Sequence, residues 1–378
     1  METYISFRVT TRVKQETSDD TEYIVRRRYN DFIWLRNKLI EAFPTLLVPA
    51  LPGKHSVIGQ LDRYSKQFIM CRMALLHSYL QRLAAHPVFS SSSAFKIFLT
   101  AKPAEFSLHS KGGSGIIDKL TGSLQNLAGY LPKSGPVHSE FDNVRQYVNC
   151  LSQKLSNIHS IAIRVNKERV DLVYDLEDAK KALRVWSNHE PKLSVIINAI
   201  QEAVTCEISL QNTHFIQNCS KQLQQPLEEY VIYVDAVKEA LARRDSIQIA
   251  FETAIEENNR KKSEKDELLL LENSPNGIGF KLWKSSSHDK MKRLQLEISN
   301  LDKLVEDNHD KMEIANEGMR ADLDRWNTEK RTEIKVILNK LSDRHIDYYQ
   351  QVSDLSFKIK TSLLIQAIHK VNSIFFRV

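Results

Sequence analysis

The segment Val25–Leu39, VRRRYNDFIWLRNKL, places three consecutive arginines directly before a tyrosine and then passes into an apolar pattern. Upstream of it, TYISFRVTTRV and DTEYIVRRRY alternate apolar and polar residues, which is typical of strands, and Ser18-Asp19-Asp20 predicts the turn between them. Within the segment, Phe32, Leu35 and Leu39 recur at helical spacing. The segment is therefore predicted to join a β-hairpin to a helix.

The rest of the first hundred residues completes a small domain. PTLLVPALPGK ends the first helix, because each proline fixes φ and removes an amide donor. Two further helices are predicted over DRYSKQFIMCRMALLHSYLQRLAAH and SSSAFKIFLT. We predict an α+β domain, a small antiparallel sheet with helices, over residues 1–101, and a linker over residues 102–136 that contains an amphipathic helix.

Residues 137–378 are helical in pattern nearly to the end, with breaks at Pro191 and in ENSPNGIGF, after which a third helix is expected near Ser287. An apolar stripe runs along that third helix. Its members are Leu301, Val305, Asn308, Met312, Ala315, Met319, Leu323 and Trp326. A stripe of this length is typical of a helix that packs along another helix, and a buried asparagine there can select pairing register or partner. We predict an all-α domain, an elongated antiparallel coiled coil of three helices that dimerises.

Composition favours helices and argues against several classes of partner. The 378 residues include 11 glycines, 10 prolines and 26% charged residues, a balance typical of long helices. The net charge of +6 is modest and no base-reading motif accompanies the lysines, so nucleic acid is not an expected partner. METYISFRV lacks the features of a signal peptide, and no apolar run approaches the roughly 20 residues that span a bilayer. Any membrane contact is expected to be peripheral.

The sequence carries no motif of a catalytic or metal site. It contains no G-x-x-x-x-G-K-[ST], no G-x-S-x-G and no H-E-x-x-H. The cysteines have neither C-x-x-C spacing nor a histidine at ligand spacing, and they are expected to be reduced thiols of a cytosolic protein. We therefore predict that the protein is not an enzyme, with no catalytic residues, no metal and no cofactor.

The arginines before the tyrosine have two interpretations. A guanidinium offers planar, bidentate donors that suit a phosphate, and the ring of Tyr29 beside Arg28 can pack against a sugar while its hydroxyl stays hydrated. Alternatively, Arg26–Arg28 are solvated positions on an edge strand, where charge discourages aggregation. The residues by themselves leave both open.

Three motifs of the first domain resemble, in order and spacing, the signatures of the PX (phox-homology) phosphoinositide-binding domain: RRRYNDF, VPALPGK and FIMCRMALLHSYLQRL. The resemblance covers residues 2–101. In that family the arginine before the tyrosine binds the 3-phosphate, the tyrosine stacks under the inositol ring, the lysine that closes the proline loop contacts the 1-phosphate, and an arginine of the next helix bonds ring hydroxyls. The residues that match here are Arg28, Tyr29, Lys54 and Arg72. Phe32 matches a structural phenylalanine and is expected in the core.

The proline loop also predicts a membrane contact. Leu51, Val57 and Ile58 are apolar side chains near Lys54, and such residues can enter the boundary between headgroups and acyl chains while the lysine meets anionic lipid. The alternative for Leu51 and Ile58 is that they cap the domain core.

Two further membrane contacts are predicted outside the first domain. Leu120, Leu124 and Leu127 share one face of the amphipathic helix, which either wedges into the membrane or packs in the seam between the domains. Lys281 and Lys284 belong to a basic cluster beside the ENSPNGIGF turn and can contact anionic lipid, the alternative being a solvated face.

The chain beyond residue 101 resembles the rest of a PX–BAR sorting nexin, most closely the branch that holds sorting nexins seven and thirty. The resemblance is carried by ETYISFRVTT, RRRYNDFIWLRNKL, DRWNTEKRTEI and DYYQQV. There are two departures from the family pattern: the first strand of the PX sheet is expected to be missing, and the tail after Val352 does not match the usual ending.

The resemblance implies a peripheral protein on the cytosolic face of early or recycling endosomes. Such a protein binds phosphatidylinositol 3-phosphate, senses or induces curvature through a dimeric BAR domain, and acts in endosomal sorting, recycling and autophagy-related trafficking. The expected partner is a second copy or another PX–BAR sorting nexin of the sorting nexin four type. The alternative is a non-catalytic protein–protein scaffold whose PX-like domain does not read lipid.

Overall fold

The architecture was obtained as a computed structural model, and the chain divides into two compact units. One comprises Met1–Asn149 with Tyr233–Trp326, and the other comprises Cys150–Ile232 with Asn327–Val378. The structure describes residues 4–15, 18–53, 65–110, 139–216, 223–272 and 280–375.

The described elements follow the predicted order of a hairpin, short helices and then long helices. The strands are β1 (Ser6–Gln15) and β2 (Ser18–Arg28), and the helices are α1 (Tyr29–Ala42), α2 (Lys66–Ala85), α3 (Ser93–Thr100), α4 (Pro103–Ser110), α5 (Ser139–His189), α6 (Ser194–Leu210), α7 (Gln225–Glu272) and α8 (Phe280–Phe375). The break expected at Pro191 separates α5 from α6. Helix α8 begins before the expected Ser287 and continues beyond Val352 to Phe375.

The two strands pair antiparallel, with Val9 opposite Val25. The turn predicted at Ser18-Asp19-Asp20 is wrong by a few residues. Ser18 already pairs with Gln15, so these polar residues extend β2 instead of forming the connection. The hairpin buries one face, and α1 follows β2 without a loop.

The core of the first domain is aromatic. Phe32 is 1% exposed, as predicted, and its ring centroid lies 4.9 Å from that of Phe98. Part of the segment expected to be a linker is the helix α4, whose Phe106 is buried in the same core and packs edge-on against Trp34. A proline at the first position suits such a helix, because its missing N–H has no partner there in any helix.

Alternation along β2 turns Arg27 into the core, while Arg26 and Arg28 are exposed. The solvated interpretation is therefore wrong for Arg27, which is only 1% exposed. Its Nε donates to the carbonyl of Phe98 at 2.9 Å and its Nη2 to that of Ala101 at 2.7 Å. These carbonyls end α3, where no intrahelical donor is available.

The surroundings of Arg27 explain how a cation is tolerated there. Its Cζ lies 4.1 Å from the ring centroid of Phe106, so the aromatic face also compensates the charge. Burial lowers the pKa of Arg27, and the charges of Asp31 and Glu105 oppose that shift. The guanidinium thus ties β2, α3 and α4 together immediately before Arg28.

Within the first unit, the small domain packs on α7 and α8 through a buried carboxylate. Asp322 accepts the backbone N–H of Leu47 at 2.6 Å and the Nε of Arg325 at 2.7 Å. Its other contact is the Nε2 of His86, at 3.0 Å. Both Asp322 and His86 are buried.

The hydrogen bonds of His86 assign its tautomer. Its Nδ1 accepts the backbone N–H groups of Val88 and Phe89, at 3.1 and 3.3 Å, so the proton must be on Nε2. A neutral imidazole therefore donates to Asp322. Burial by itself raises the pKa of Asp322, but the hydrogen bond from His86 and the charge of Arg325 outweigh burial and lower it.

The predicted stripe on α8 is buried over its second half. Met312, Met319 and Trp326 are at most 6% exposed, and the ring of Trp326 meets that of Tyr233 edge-on. Asn308 donates from Nδ2 to the carbonyl of Ala250 at 3.3 Å, so its amide has a partner on α7 of the same chain.

The second unit is built on α5, α6 and the later part of α8. A π-helical turn, Gln211–Ile216, follows α6 and buries Phe215. The Cζ of Arg169 lies 3.6 Å from the centroid of that ring, and the hydroxyl of Tyr348 donates to Glu207 at 2.6 Å.

Replacing the buried arginine should cost far more than replacing its exposed neighbour. We expect Arg27→Met to lower the free energy of unfolding of the first domain by about 3 kcal/mol, because the carbonyls that end α3 lose charged donors. Arg26→Met is the matched control, with an expected change within about 0.5 kcal/mol. Thermal unfolding followed by circular dichroism compares the two, and equal midpoints would contradict the assignment.

Acid should weaken the packing that Asp322 supports. Because the folded pKa of Asp322 is lowered, its contribution is complete above the unfolded value of about 3.9 and is lost as pH falls through the folded pKa. We expect Asp322→Asn to cost about 2 kcal/mol at neutral pH, and this difference to shrink below about pH 4. Unfolding midpoints measured across that range, with the exposed Asp307→Asn as control, test the expectation. A difference that is independent of pH would refute it.

Candidate functional site

Arg28 occupies the junction between β2 and α1. Its backbone is extended, with φ −85° and ψ 163°, and its N–H donates to Asp31 Oδ2 at 2.6 Å, which caps the first turn of α1. The side chain is exposed, and its Cζ lies 3.4 Å from the ring centroid of Tyr4. The guanidinium therefore has one face on an aromatic ring and its edge toward solvent, which leaves donors for an anion.

Tyr29 is the first residue of α1 and points toward the proline loop. Its hydroxyl donates to the carbonyl of Pro52. Burial raises the pKa of Tyr29, although the charges of Arg72 and Arg36 oppose the shift. The hydroxyl therefore stays protonated at neutral pH and can act as the donor in this bond.

Arg72 reaches the same place from α2. Its Cζ lies 4.7 Å from the ring centroid of Tyr29 and 4.4 Å from that of Phe68. Its Nη2 donates to the carbonyl of Gly53 at 3.2 Å. The structure thus brings together Tyr29 and Arg72, two of the residues predicted to bind lipid, at the end of the loop that precedes Lys54.

Arg36 is a member of this site that sequence reasoning missed. It lies two turns after Tyr29 on α1, and its Nε donates to the carbonyl of Pro49 at 3.1 Å. The spacing of seven residues from the tyrosine is the signal that could have found it, since i and i+7 share a helix face. Side chains from two helices therefore hold the carbonyls of Pro49, Pro52 and Gly53.

Of the other residues predicted to contact lipid or membrane, only Leu51 has a side chain that the structure describes. Leu51 is half-buried and packs against the core, in line with the capping alternative, and its membrane contact stays a prediction. The remaining residues stay predictions as well, because they lie outside the described residues or, for the last two, in a part of α8 whose side chains are not described. They are Lys54, Val57, Ile58, Leu120, Leu124, Leu127, Lys281 and Lys284.

None of the helices that the structure describes has the length and apolar character needed to cross a membrane.

Comparisons with known proteins cover nearly the whole chain. The family described as PX domain matches residues 15–102, and the family described as Vps5 C terminal like matches residues 137–359. Sorting nexin-30 of Xenopus tropicalis is 32% identical over 353 residues, which are 93% of this chain and 70% of that protein. Sorting nexin-7 of Homo sapiens is 30% identical, over 93% of this chain and 82% of that protein.

A solved structure shares the fold. It is titled the cryo-EM structure of the SNX-BAR Mvp1 tetramer, and it matches with a TM-score of 0.64 at 15% identity, covering 95% of each chain. The predicted combination of an α+β PX domain and a long helical BAR region is therefore confirmed.

Removing the hydroxyl of Tyr29 should loosen the proline loop. We expect Tyr29→Phe to speed amide exchange over residues 47–53 about fivefold, as the loss of a hydrogen bond worth about 1 kcal/mol implies. Tyr79→Phe is the matched control, because the buried Tyr79 hydroxyl has no hydrogen-bond partner among the residues that the structure describes. Exchange followed by mass spectrometry that is equally slow in both variants would show that the bond to Pro52 is not formed in solution.

Proposed function

Because this chain belongs to the sorting nexins that join a PX domain to a BAR-like helical domain, we propose that it reads phosphatidylinositol 3-phosphate on endosomal membranes. PX domains bind phosphoinositide membranes, and proteins of this family act in membrane-associated trafficking, generally as non-enzymatic adaptors. The observation that carries the finer proposal is the convergence of Tyr29 and Arg72 on the proline loop, next in sequence to the exposed guanidinium of Arg28.

The chemistry of the site suits the headgroup. A 3-phosphate needs donors that remain charged, and the edge of Arg28 supplies them. The inositol ring presents an apolar C–H face that can rest on the ring of Tyr29, while the guanidinium of Arg72 can donate to hydroxyls. Lys54, which follows Gly53 in the sequence, would add a cation for the 1-phosphate.

For the helical region, the proposal is a dimer that senses or induces curvature. Large apolar side chains on α5 and α6 of the second unit are exposed in the single chain, and exposed apolar surface is available to a partner. They include Ile158, Ile161, Tyr174, Val185, Trp186, Val195 and Ile196. A second copy, or a partner of the sorting nexin four type, would cover them, and members of this family form oligomers.

The mechanism we infer is coincidence detection on the cytosolic face of early or recycling endosomes. A headgroup site and a helical surface that act on one membrane can each be weak, because tethering raises the effective concentration of the second contact. The additional membrane contacts would come from Lys281 and Lys284 and from the predicted apolar face of Leu120, Leu124 and Leu127. Cargo sorting, recycling and support of autophagy follow as the proposed roles.

The single change Arg28→Ala tests the binding of phosphatidylinositol 3-phosphate. We expect it to weaken binding to vesicles that contain phosphatidylinositol 3-phosphate about 10- to 100-fold, as the loss of charged hydrogen bonds worth about 1.5–3 kcal/mol implies. Arg12→Ala removes the same charge from the same hairpin, but Arg12 is exposed and faces Glu22 at 3.3 Å, so it should change binding little. Vesicle pelleting of the purified full chain measures both variants.

The same experiment distinguishes lipid binding from the alternative function, a protein–protein scaffold. If the natural chain and Arg28→Ala pellet equally, and equally with vesicles that lack the phosphoinositide, the lipid-reading proposal fails. Such a result favours the protein–protein scaffold.

A further inference from the structure

The segment Pro44–Gly53, called the proline segment below, connects α1 to the part of the chain that carries Lys54. Its polar backbone groups are bonded from two directions. The carbonyls of Pro49, Pro52 and Gly53 meet side chains of α1 and α2, as described above. The earlier residues meet the long helices of the same unit.

On the side of the long helices, two residues hold the start of the proline segment. The Nε of Arg243 on α7 donates to the carbonyl of Pro44 at 2.6 Å, and Asp322 on α8 accepts the N–H of Leu47. Thr45 and Leu47 are buried by this packing. The helices therefore fix where the segment begins.

One carboxylate joins the two sets of contacts. Glu239 on α7 pairs with Arg36 Nη2 and lies 3.8 Å from Arg243 Nη1. Each of these guanidiniums donates its Nε to a backbone carbonyl, Arg36 to Pro49 and Arg243 to Pro44. Glu239 thus lies between two cations, each of which is hydrogen-bonded to a carbonyl of the proline segment.

The charges show why the carboxylate is needed. The side chains of Arg36 and Arg243 are only 16% and 12% exposed, so water screens their mutual repulsion poorly. Burial and, to a smaller extent, the charge of Arg36 lower the pKa of Arg243 to about 10, against the opposing charge of Glu239. Without Glu239, repulsion would drive one guanidinium toward water and release its carbonyl.

We propose that Glu239 is a positioning residue for the headgroup site: through Arg36 and Arg243 it holds the proline segment in the shape that Tyr29 and Arg72 then complete. Glu239 itself does not touch lipid. The inference rests on the proposed lipid function, because the segment contacts Tyr29 and Arg72, two residues of the proposed headgroup site. It makes headgroup affinity depend on a residue of the helical region, remote in sequence from the PX motifs.

The test is Glu239→Gln in the full chain. We expect amide exchange over residues 45–53 to rise about fivefold, and affinity for soluble inositol 1,3-bisphosphate, measured by calorimetry, to fall about three- to tenfold. The soluble headgroup is the readout that separates positioning from stability, because a merely stabilising residue would leave headgroup binding by the folded protein unchanged. Vesicles with and without phosphatidylinositol 3-phosphate then show whether the loss carries over to the membrane.

Asp235→Asn is the matched control. Asp235 lies one turn earlier on α7, pairs with Lys238 at 3.1 Å and is exposed, so its replacement changes the charge by the same amount without touching Arg36 or Arg243. Any general gain in attraction to anionic ligands appears in both variants. The effect of Glu239 is the difference between them.

Two results would overturn the inference. One is exchange over residues 45–53 in Glu239→Gln that matches the Asp235→Asn control. The other is faster exchange without any loss of headgroup affinity. If the natural chain binds neither the soluble headgroup nor the lipid, the proposed function fails and the role of Glu239 in a headgroup site fails with it. Faster exchange in Glu239→Gln would then show only that the carboxylate orders the segment.

Discussion

The period-two alternation of β2 is the constraint on which the candidate site depends. It sends Arg27 inward and leaves Arg28 outside, although the two are chemically identical. A buried guanidinium is tolerated only with full compensation, and Arg27 finds it in the carbonyls that end α3 and in the ring of Phe106. A shift of register by one residue would exchange the two arginines and remove both the core contact and the exposed cation.

The proline segment is the second organising feature. Prolines remove amide donors and leave carbonyls that need partners, and here arginine and tyrosine side chains provide them from α1, α2 and α7. Because the same guanidinium of Arg36 meets Pro49 and Glu239, the PX domain and the helices of its unit share one polar network. Under the proposed function, this network would connect the headgroup site to the helices of its unit.

The buried pair of His86 and Asp322 serves the same packing in a different way. A neutral imidazole with its proton on Nε2 satisfies the carboxylate and, through Nδ1, the two backbone donors of Val88 and Phe89. Both ring nitrogens of His86 and both carboxylate oxygens of Asp322 are hydrogen-bonded, so the contact favours one arrangement of the domain on α8.

The sequence by itself determined the two strands, the order of the helices other than α4, and the junction at Arg28 and Tyr29, because these depend on local periodicity and on adjacent residues. Its motifs carried the resemblance to the family. Only the tertiary structure decided that Arg27 is buried, that α4 belongs to the core, and that Arg36, Glu239 and Asp322 converge on the proline segment. Their partners include backbone carbonyls and N–H groups, which nearly every residue type carries, and side chains that are 203 and 236 residues away in sequence. Neither kind of partner leaves a local pattern, so three-dimensional packing had to select them.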